Sequence, residues 1–245
     1  MSKMDNNNLI PYQVLIILLN FSTIVSSILL QATRQNTMDD QYHLEGAIDQ
    51  FTSKSVIRCL SDCSSRLQCM SFFYNKDTMD CILHSDSFIY TVPTEQGDGW
   101  RFYLTEDVSG RCPSSNEFKY YRALDLCYSI HAPVQIDFTA IKTFCAGIGG
   151  ELIRISSEQI QQYIQKVTAA DPTERICIQG TDTIKPANWT FDDGTPMTYF
   201  NWDTVAGEPS GNRGRLEIFT DYKWHDLPST SSNQCLRICE RMRII

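Results

Sequence analysis

The sequence predicts an α+β protein made of two small domains, each stabilised by disulfide bonds. Ten cysteines in 245 residues are typical of domains from an oxidising compartment, where covalent links compensate for small hydrophobic cores. The cysteines form two even groups, four at 59–81 and six at 112–239, and the polar segment 105–110 between them ends in glycine. Both halves contain apolar residues at helical spacing and short apolar runs typical of strands. We therefore expect a domain boundary within 105–110.

An apolar segment from Ile10 to Leu30 precedes both domains. Lys3 ahead of it and small residues close to Ala32 are typical of a secretory signal peptide occupying residues 1–32. A signal anchor, which would make a type II membrane protein, is the alternative, because about 20 apolar residues can span a bilayer. Lys3 and Arg34 give almost no charge bias for orientation. In both cases the rest of the chain faces the extracellular side, and membrane association requires that the segment is retained.

Composition argues against nucleic acid as a partner and against common enzyme classes. The chain has 21 Lys plus Arg against 29 Asp plus Glu, a net charge of -8, which disfavours nucleic acid and anionic membrane surfaces. The cysteines never occur as Cys-x-x-Cys and the four histidines are scattered, so a structural zinc site is not expected. The sequence also lacks the motifs of serine hydrolases, zinc proteases, phosphate-binding loops and dinucleotide-binding folds. We therefore expect a binding protein rather than an enzyme.

The first cysteine group surrounds a predicted helix at residues 53–64. Cys59 and Cys63 are one helical turn apart, so both thiols face the same neighbour, and each must reach a strand rather than the other. Cys69 precedes one apolar run and Cys81 begins another. Four cysteines allow three connectivities from sequence alone.

This helix and its two following apolar runs resemble the apple, or PAN, module over residues 42–106. The resemblance implies the pairs Cys59–Cys81 and Cys63–Cys69. It also implies contacts with extracellular proteins or carbohydrate. A disulfide-stabilised spacer and dimerisation surface is the alternative role.

The second cysteine group spans a predicted hairpin, two helices and several strands. Cys112 and Cys127 can close a hairpin whose strands carry aromatic side chains. Residues 138–145 have apolar positions at spacings of three and four, which predicts a helix, and residues 151–155 form a short apolar run typical of a strand. A capping box at 156–159 predicts the start of the second helix.

The segment from Trp189 to Glu240 carries the most specific motifs. In order they are Trp189-Thr190-Phe191-Asp192-Asp193-Gly194, Asn201-Trp202, Glu208-Pro209-Ser210, Trp224-His225-Asp226 and Ile238-Cys239-Glu240. This succession resembles the C-type lectin domain, and with the hairpin and helices the resemblance covers residues 112–245. It implies a fold of two helices, small antiparallel sheets, a long loop and disulfide bonds. In members that bind sugar through calcium, the same stretch holds the ligands of the ion.

The resemblance points to four ligand-binding candidates: Glu208, Ser210, His225 and Asp226. Glu208 and Asp226 keep the family's calcium-binding carboxylates, and a cis peptide bond before Pro209 would orient Glu208 as in the family. Ser210 and His225 replace Asn or Asp, and the cation Arg213 falls near a position where an acidic ligand is expected. Calcium takes six to eight oxygen ligands, so this set predicts weak or lost calcium binding. A surface histidine without a partner is the alternative interpretation of His225.

The disulfide pattern of the second group departs from that of the family. The family's inner cystine would join the positions of Arg215 and Ser229, whereas this chain carries Cys177 and Cys235 elsewhere. Because both family halves are missing together, we expect Cys177 to pair with Cys235. The other expected pairs are Cys112–Cys127 and Cys145–Cys239. An intermolecular bond through Cys177 and Cys235 is the alternative.

Asn188-Trp189-Thr190 is an acceptor sequence for N-linked glycan. It lies at a predicted turn before the core strands, so we expect a glycan at Asn188. Asn20-Phe21-Ser22 also fits the pattern but lies inside the export segment and should not be modified.

These observations predict a secreted, extracellular recognition protein that binds glycans or glycoproteins. Calcium is the one cofactor that the resemblance suggests, and its role is expected to be weak or lost. A protein-binding or structural module that keeps the fold but not the sugar site is the alternative, and Arg213 and His225 favour it.

Overall fold

The computed structural model divides into two units, one formed by residues 1–85 and 94–109 and the other by residues 86–93 and 110–245. The structure describes residues 13–16, 30–89, 95–107, 110, 112–113, 117–169, 175–182, 188–211, 214–228 and 233–241. Within these residues, no helix has both the length and the apolar character needed to cross a membrane. The predicted export segment lies mostly outside the described residues.

The first unit is an antiparallel sheet with one helix packed on it. Its elements are β1 (Gln13–Ile16), β2 (Leu30–Arg34), β3 (Gln41–Tyr42), β4 (Asp49–Thr52), α1 (Val56–Ser64), β5 (Ser71–Asn75), β6 (Asp80–His84), β7 (Glu95–Gln96) and β8 (Trp100–Asp107). Six strands lie in the order β1-β2-β8-β5-β6-β4, and β3 pairs with β7 separately. All five residues of β5 are buried, because this strand has neighbours on both sides and α1 beside it.

Helix α1 begins three residues later than the predicted helix at 53–64. Ser55 is its N-cap, and the Ser55 hydroxyl accepts a hydrogen bond from the backbone N–H of Arg58. Ser53 instead donates its hydroxyl to the carbonyl of Ser55, which keeps it outside the helix. The buried face of α1 is fixed to the rest of the unit by Cys59–Cys81 and Cys63–Cys69.

The sheet of this unit begins ahead of residue 42, the predicted start of the PAN-like module. Strand β2 pairs with β8 over five residues. Ala32 is 1% exposed and belongs to the core that contains Cys59, Leu60 and Phe72. Residues 30–34 are therefore paired within this sheet.

The second unit is a larger mixed sheet with two helices. Its elements are β9 (Lys119–Tyr121), β10 (Leu126–Ile136), α2 (Phe138–Gly147), β11 (Glu151–Leu152), α3 (Glu158–Thr168), β12 (Ile176–Ile178), β13 (Arg215–Ile218), β14 (Trp224–Leu227) and β15 (Asn233–Glu240). The strands lie in the order β14-β13-β12-β15-β10-β9, and β11 also pairs with β15. Strand β15 is antiparallel to β10 and β11 and parallel to β12.

Both helices of this unit begin at a side-chain cap. Asp137 accepts a hydrogen bond from the backbone N–H of Ala140 at 2.8 Å. For α3 the cap is Ser157, whose hydroxyl accepts from the N–H of Ile160, so the predicted capping box at 156–159 is wrong by one residue. The predicted strand at 151–155 is also shorter, because only 151–152 form a regular ladder.

Three disulfides hold the second unit, and all ten cysteines of the chain are paired. The bonds are Cys112–Cys127, Cys145–Cys239 and Cys177–Cys235. These are the pairs expected from the sequence, and two of them end on β15. Arg215, at one position of the family's inner cystine, is fully buried and lies 2.9 Å from Glu217. Ser229, at the other position, lies outside the described residues.

Candidate functional site

The four predicted ligand residues lie together where the loop at 203–211 meets β14. Trp224 donates its backbone N–H to the carbonyl of Asn201 at 2.9 Å, and Asp203 donates to the carbonyl of Trp224 at 3.1 Å. The loop therefore starts alongside β14. Because residues alternate across a strand, Trp224 and Asp226 are buried, whereas His225 lies on the opposite face and is partly exposed.

Asp203 shapes the first half of this loop. Its Oδ1 accepts hydrogen bonds from the backbone N–H groups of Val205 at 3.1 Å and Ala206 at 3.0 Å. Its carbonyl accepts from the N–H of Glu208 at 2.9 Å. Asp203 was not among the predicted ligand residues, although an Asp ahead of small residues is a known turn signal.

Glu208 shapes the second half and faces β14. Its Oε2 accepts from the backbone N–H of Ser210 at 2.9 Å and of Asp226 at 3.3 Å. The Glu208–Pro209 peptide bond is cis, as the resemblance implied. Burial raises the pKa of the Glu208 carboxyl above its ordinary value, and the neighbouring Asp226 carboxyl raises this pKa further.

Asp226 holds Ser210 from the strand side. Its Oδ1 accepts from the Ser210 backbone N–H at 2.6 Å and from the Ser210 hydroxyl at 2.7 Å. Asp226 is fully buried, whereas Ser210 is exposed. The loop thus closes onto β14 through hydrogen bonds to carboxylates.

The imidazole of His225 lies between two carboxylates. Its Nδ1 is 3.2 Å from Oε1 of Glu208, and its Nε2 is 3.4 Å from Oδ2 of Asp203. Its ring stacks on Phe219 with a centroid separation of 3.7 Å and an interplanar angle of 16°. The interpretation of His225 as a surface histidine without a partner is therefore wrong.

The donor set does not fit a tight calcium site. Three carboxylates are present, but Glu208 and Asp226 already accept hydrogen bonds from the loop and strand. His225 supplies nitrogen where calcium prefers oxygen, and Ser210 supplies a neutral hydroxyl that is bonded to Asp226. Arg213, the other departure from the family pattern, lies outside the described residues.

The buried side chain of Trp224 supports the site. It is fully buried, and its indole N–H donates to Oε1 of Gln161 on α3 at 2.8 Å. The ring of Trp202 meets Trp224 edge to face at 6.0 Å and stacks on Phe200 at 5.5 Å. These aromatic contacts hold the start of the loop, as expected for packing residues.

The predicted glycan acceptor, Asn188, precedes the loop at 203–211 in the chain. Asn188 is exposed, whereas the next residue, Trp189, is 5% exposed. The Asn188 backbone N–H donates to Oδ1 of Asp182 at 3.4 Å. The side-chain amide is therefore on an accessible surface beside a buried anchor.

Comparison with known proteins finds one matching family model in each half of the chain. Residues 134–241 match the family described as Lectin C-type domain, and residues 31–102 match the PAN domain. The chain is 25% identical over 129 residues to the type-2 ice-structuring protein of Hemitripterus americanus, an alignment that covers 52% of this chain and 76% of that protein.

Two further similarities cover the same half of the chain. Pulmonary surfactant-associated protein D of Sus scrofa is 28% identical over 95 residues, covering 36% of this chain and 24% of that protein. The chain thus spans about a quarter of that relative. The carbohydrate-recognition domain of the mouse scavenger receptor C-type lectin is 25% identical with a TM-score of 0.41, covering 53% of this chain and 100% of that domain.

Proposed function

We propose that this chain, a C-type lectin-like protein with an N-terminal PAN domain, is an extracellular recognition protein that binds glycans without calcium. The observation that carries the proposal is the position of His225 between Asp203 and Glu208. Side chains of the protein itself thereby hold the loop to β14. A loop that is already ordered does not need an ion to preorganise it for a ligand.

The groups around the loop suit a ligand rich in hydroxyls. Ser210 is exposed, and the carboxylates of Asp203 and Glu208 keep 17% and 11% of their side-chain surface accessible. Carboxylates accept hydrogen bonds from sugar hydroxyls, and each oxygen can accept more than one. Mannan, a mannose polymer that presents many hydroxyl groups, is the first probe.

The proposal is tested by retention of the full secreted chain on immobilised mannan, with calcium and with chelator. We expect equal retention in the two buffers. Elution by chelator would contradict calcium independence. Absence of retention in both buffers, together with silence on a glycan array, would remove the sugar-binding proposal.

A matched pair of histidine variants tests the role of His225. His225→Asn replaces ring nitrogen by an amide oxygen beside Glu208, so we expect it to gain calcium-dependent heat in isothermal titration. His131→Asn is the control, because the His131 side chain in the same unit is 14% exposed, against 13% for His225. Calcium heat from the unmodified chain would contradict the proposal directly.

A protein ligand is the second candidate, and one observation favours it. Val205 at the tip of the loop is 99% exposed, while Asp203 fixes the backbone around it. This ordered apolar side chain is available to pack against a protein surface. In that case Val205→Lys should abolish capture of the protein ligand, whereas glycan binding without calcium should survive it. We extend the same proposal to the PAN domain, as a second contact surface for extracellular proteins or carbohydrate.

A further inference from the structure

We infer that Arg175 and Phe219 are positioning residues, which fix the ring of His225 between the two carboxylates of the candidate site. The importance of this arrangement for binding rests on the proposed function. The arrangement of the three side chains can be measured without any ligand, so the positioning role and the proposed function can be contradicted separately.

Phe219 provides a rigid surface for the imidazole. It follows β13 directly, and its backbone N–H donates to the carbonyl of Lys223 while its carbonyl accepts from the N–H of Tyr222, both at 2.8 Å. These bonds close a tight turn between β13 and β14. The ring of Phe219 is therefore presented from a fixed backbone, 3.7 Å from the centroid of His225.

Arg175 occupies the other face of Phe219. The central guanidinium carbon is 4.0 Å from the Phe219 ring centroid. Two groups at 3.7 and 4.0 Å from one centroid cannot share one face of the ring, so imidazole and guanidinium enclose Phe219 between them. A guanidinium over an aromatic face is attracted to it.

Buried charge in turn holds Arg175. Its Nη1 lies 3.5 Å from Oε2 of Glu217. Glu217 is fully buried, and its Oε1 lies 2.9 Å from Nη2 of Arg215. The carbonyl of Arg175 accepts from the N–H of Leu236 on β15 at 2.7 Å. Contacts thus run from the interior of the sheet through Arg175 and Phe219 to His225.

The orientation of the imidazole matters because its two nitrogens face different carboxylates. Glu208 is at one nitrogen and Asp203 at the other. The final torsion of a histidine side chain is broad, so a ring without a stacking partner would not keep both contacts. A face contact with Phe219 restricts the tilt of the ring, and Arg175 keeps Phe219 from moving away.

The test is nuclear magnetic resonance of the full secreted chain with ring-labelled histidine. The chain has four histidines, and loss of one signal in His225→Asn identifies that of His225. Stacking on Phe219 should move the His225 ring protons upfield. Phe219→Leu should abolish this displacement, and Arg175→Lys should reduce it, because an ammonium lacks the planar contact. Arg237→Lys is the matched control, since Arg237 lies 4.1 Å over Phe144 in the same unit.

Binding to mannan gives the second measurement. We expect Arg175→Lys to raise the Kd roughly two- to fivefold, the change that matches a partly exposed cation–π contact, and Arg237→Lys to leave it unchanged. Unaltered His225 signals in Arg175→Lys would overturn the inference, because Phe219→Leu removes the ring current in any case. If the His225 signals are altered in the variants but the unmodified chain does not bind mannan, the positioning role stands and the proposed function is contradicted instead.

Discussion

Ser210 donates both its backbone N–H and its hydroxyl to the same oxygen of Asp226, at 2.6 and 2.7 Å. Hydrogen bonds to a buried carboxylate contribute more than neutral ones. We expect Ser210→Ala to lower the free energy of unfolding by about 1 to 2 kcal/mol, measured by urea denaturation. Ser156→Ala, at an exposed serine of the same unit, is the control. Equal midpoints for the two variants would contradict this role of the hydroxyl.

Gln161 holds the buried side chain of Trp224 through a hydrogen bond. It is 2% exposed and accepts the indole N–H of Trp224, so Gln161→Leu would leave that donor buried without its acceptor. We expect a loss of about 2 kcal/mol in unfolding free energy. Gln162→Leu, one position along α3 on the exposed side, should change stability far less. A similar loss in both variants would point to helix propensity rather than to the indole hydrogen bond.

Glu240 makes stability depend on pH. Burial raises the pKa of its carboxyl to about 7, even though Nε of Arg154 lies 3.5 Å away. The contribution of Glu240 to the free energy of unfolding is fully present below about pH 4.3, the pKa of a glutamate in the unfolded chain. It is lost as the pH rises to about 7, because the carboxyl ionises more readily in the unfolded chain than in the folded one. The loss is of the order of 4 kcal/mol, at about 1.4 kcal/mol per pKa unit.

Unfolding free energies measured between pH 4 and 8 test this dependence. Glu240→Gln should reduce the fall in unfolding free energy with rising pH. Glu158→Gln, at an exposed glutamate of α3, should leave this fall unchanged. A decline that survives in Glu240→Gln would assign it to other groups.

The position of β2 bears on removal of the export segment. Cleavage after Ala32 would take Leu30, Gln31 and Ala32 out of a strand that pairs with β8. We therefore expect N-terminal sequencing of secreted material to begin at or before Leu30, close to Ser26 and Ser27, which removes only β1 at the edge of the sheet. A mature chain that starts at Thr33 would contradict this expectation. An uncleaved chain recovered with membranes would support the signal anchor.

Asn188 is expected to carry a glycan. Glycosidase treatment should increase the electrophoretic mobility of the unmodified chain and of Thr190→Ser, which keeps an acceptor sequence. Asn188→Gln should show no such increase. A mobility change that persists in Asn188→Gln would indicate modification elsewhere.

Local patterns in the sequence predicted much of the fold. The spacing of Cys59 and Cys63 places both on one helical face, and both are buried there. The start of α3 was misassigned because Ser156 and Ser157 are both able to cap a helix, and the local sequence does not distinguish between them.

The site was predicted less completely. Motif positions indicated Glu208 and His225, but no local signal joins Arg175 or Phe219 to them. Their contacts arise because β12, β13 and β14 are neighbours in the sheet. The partial replacement of family residues at Ser210 and His225 indicated a weakened ion site, whereas the role of Asp203 required the folded loop.

Strand β15 has a consequence for how the chain matures. It pairs with β10, β11 and β12, and it carries the partners of Cys145 and Cys177. A nascent chain that ends at residue 232 therefore has the thiols of Cys145 and Cys177 unpaired. The edges of β10, β11 and β12 that pair with β15 also lack their partner. These two disulfides and three strand pairs therefore form only after residues 233–240 have been synthesised.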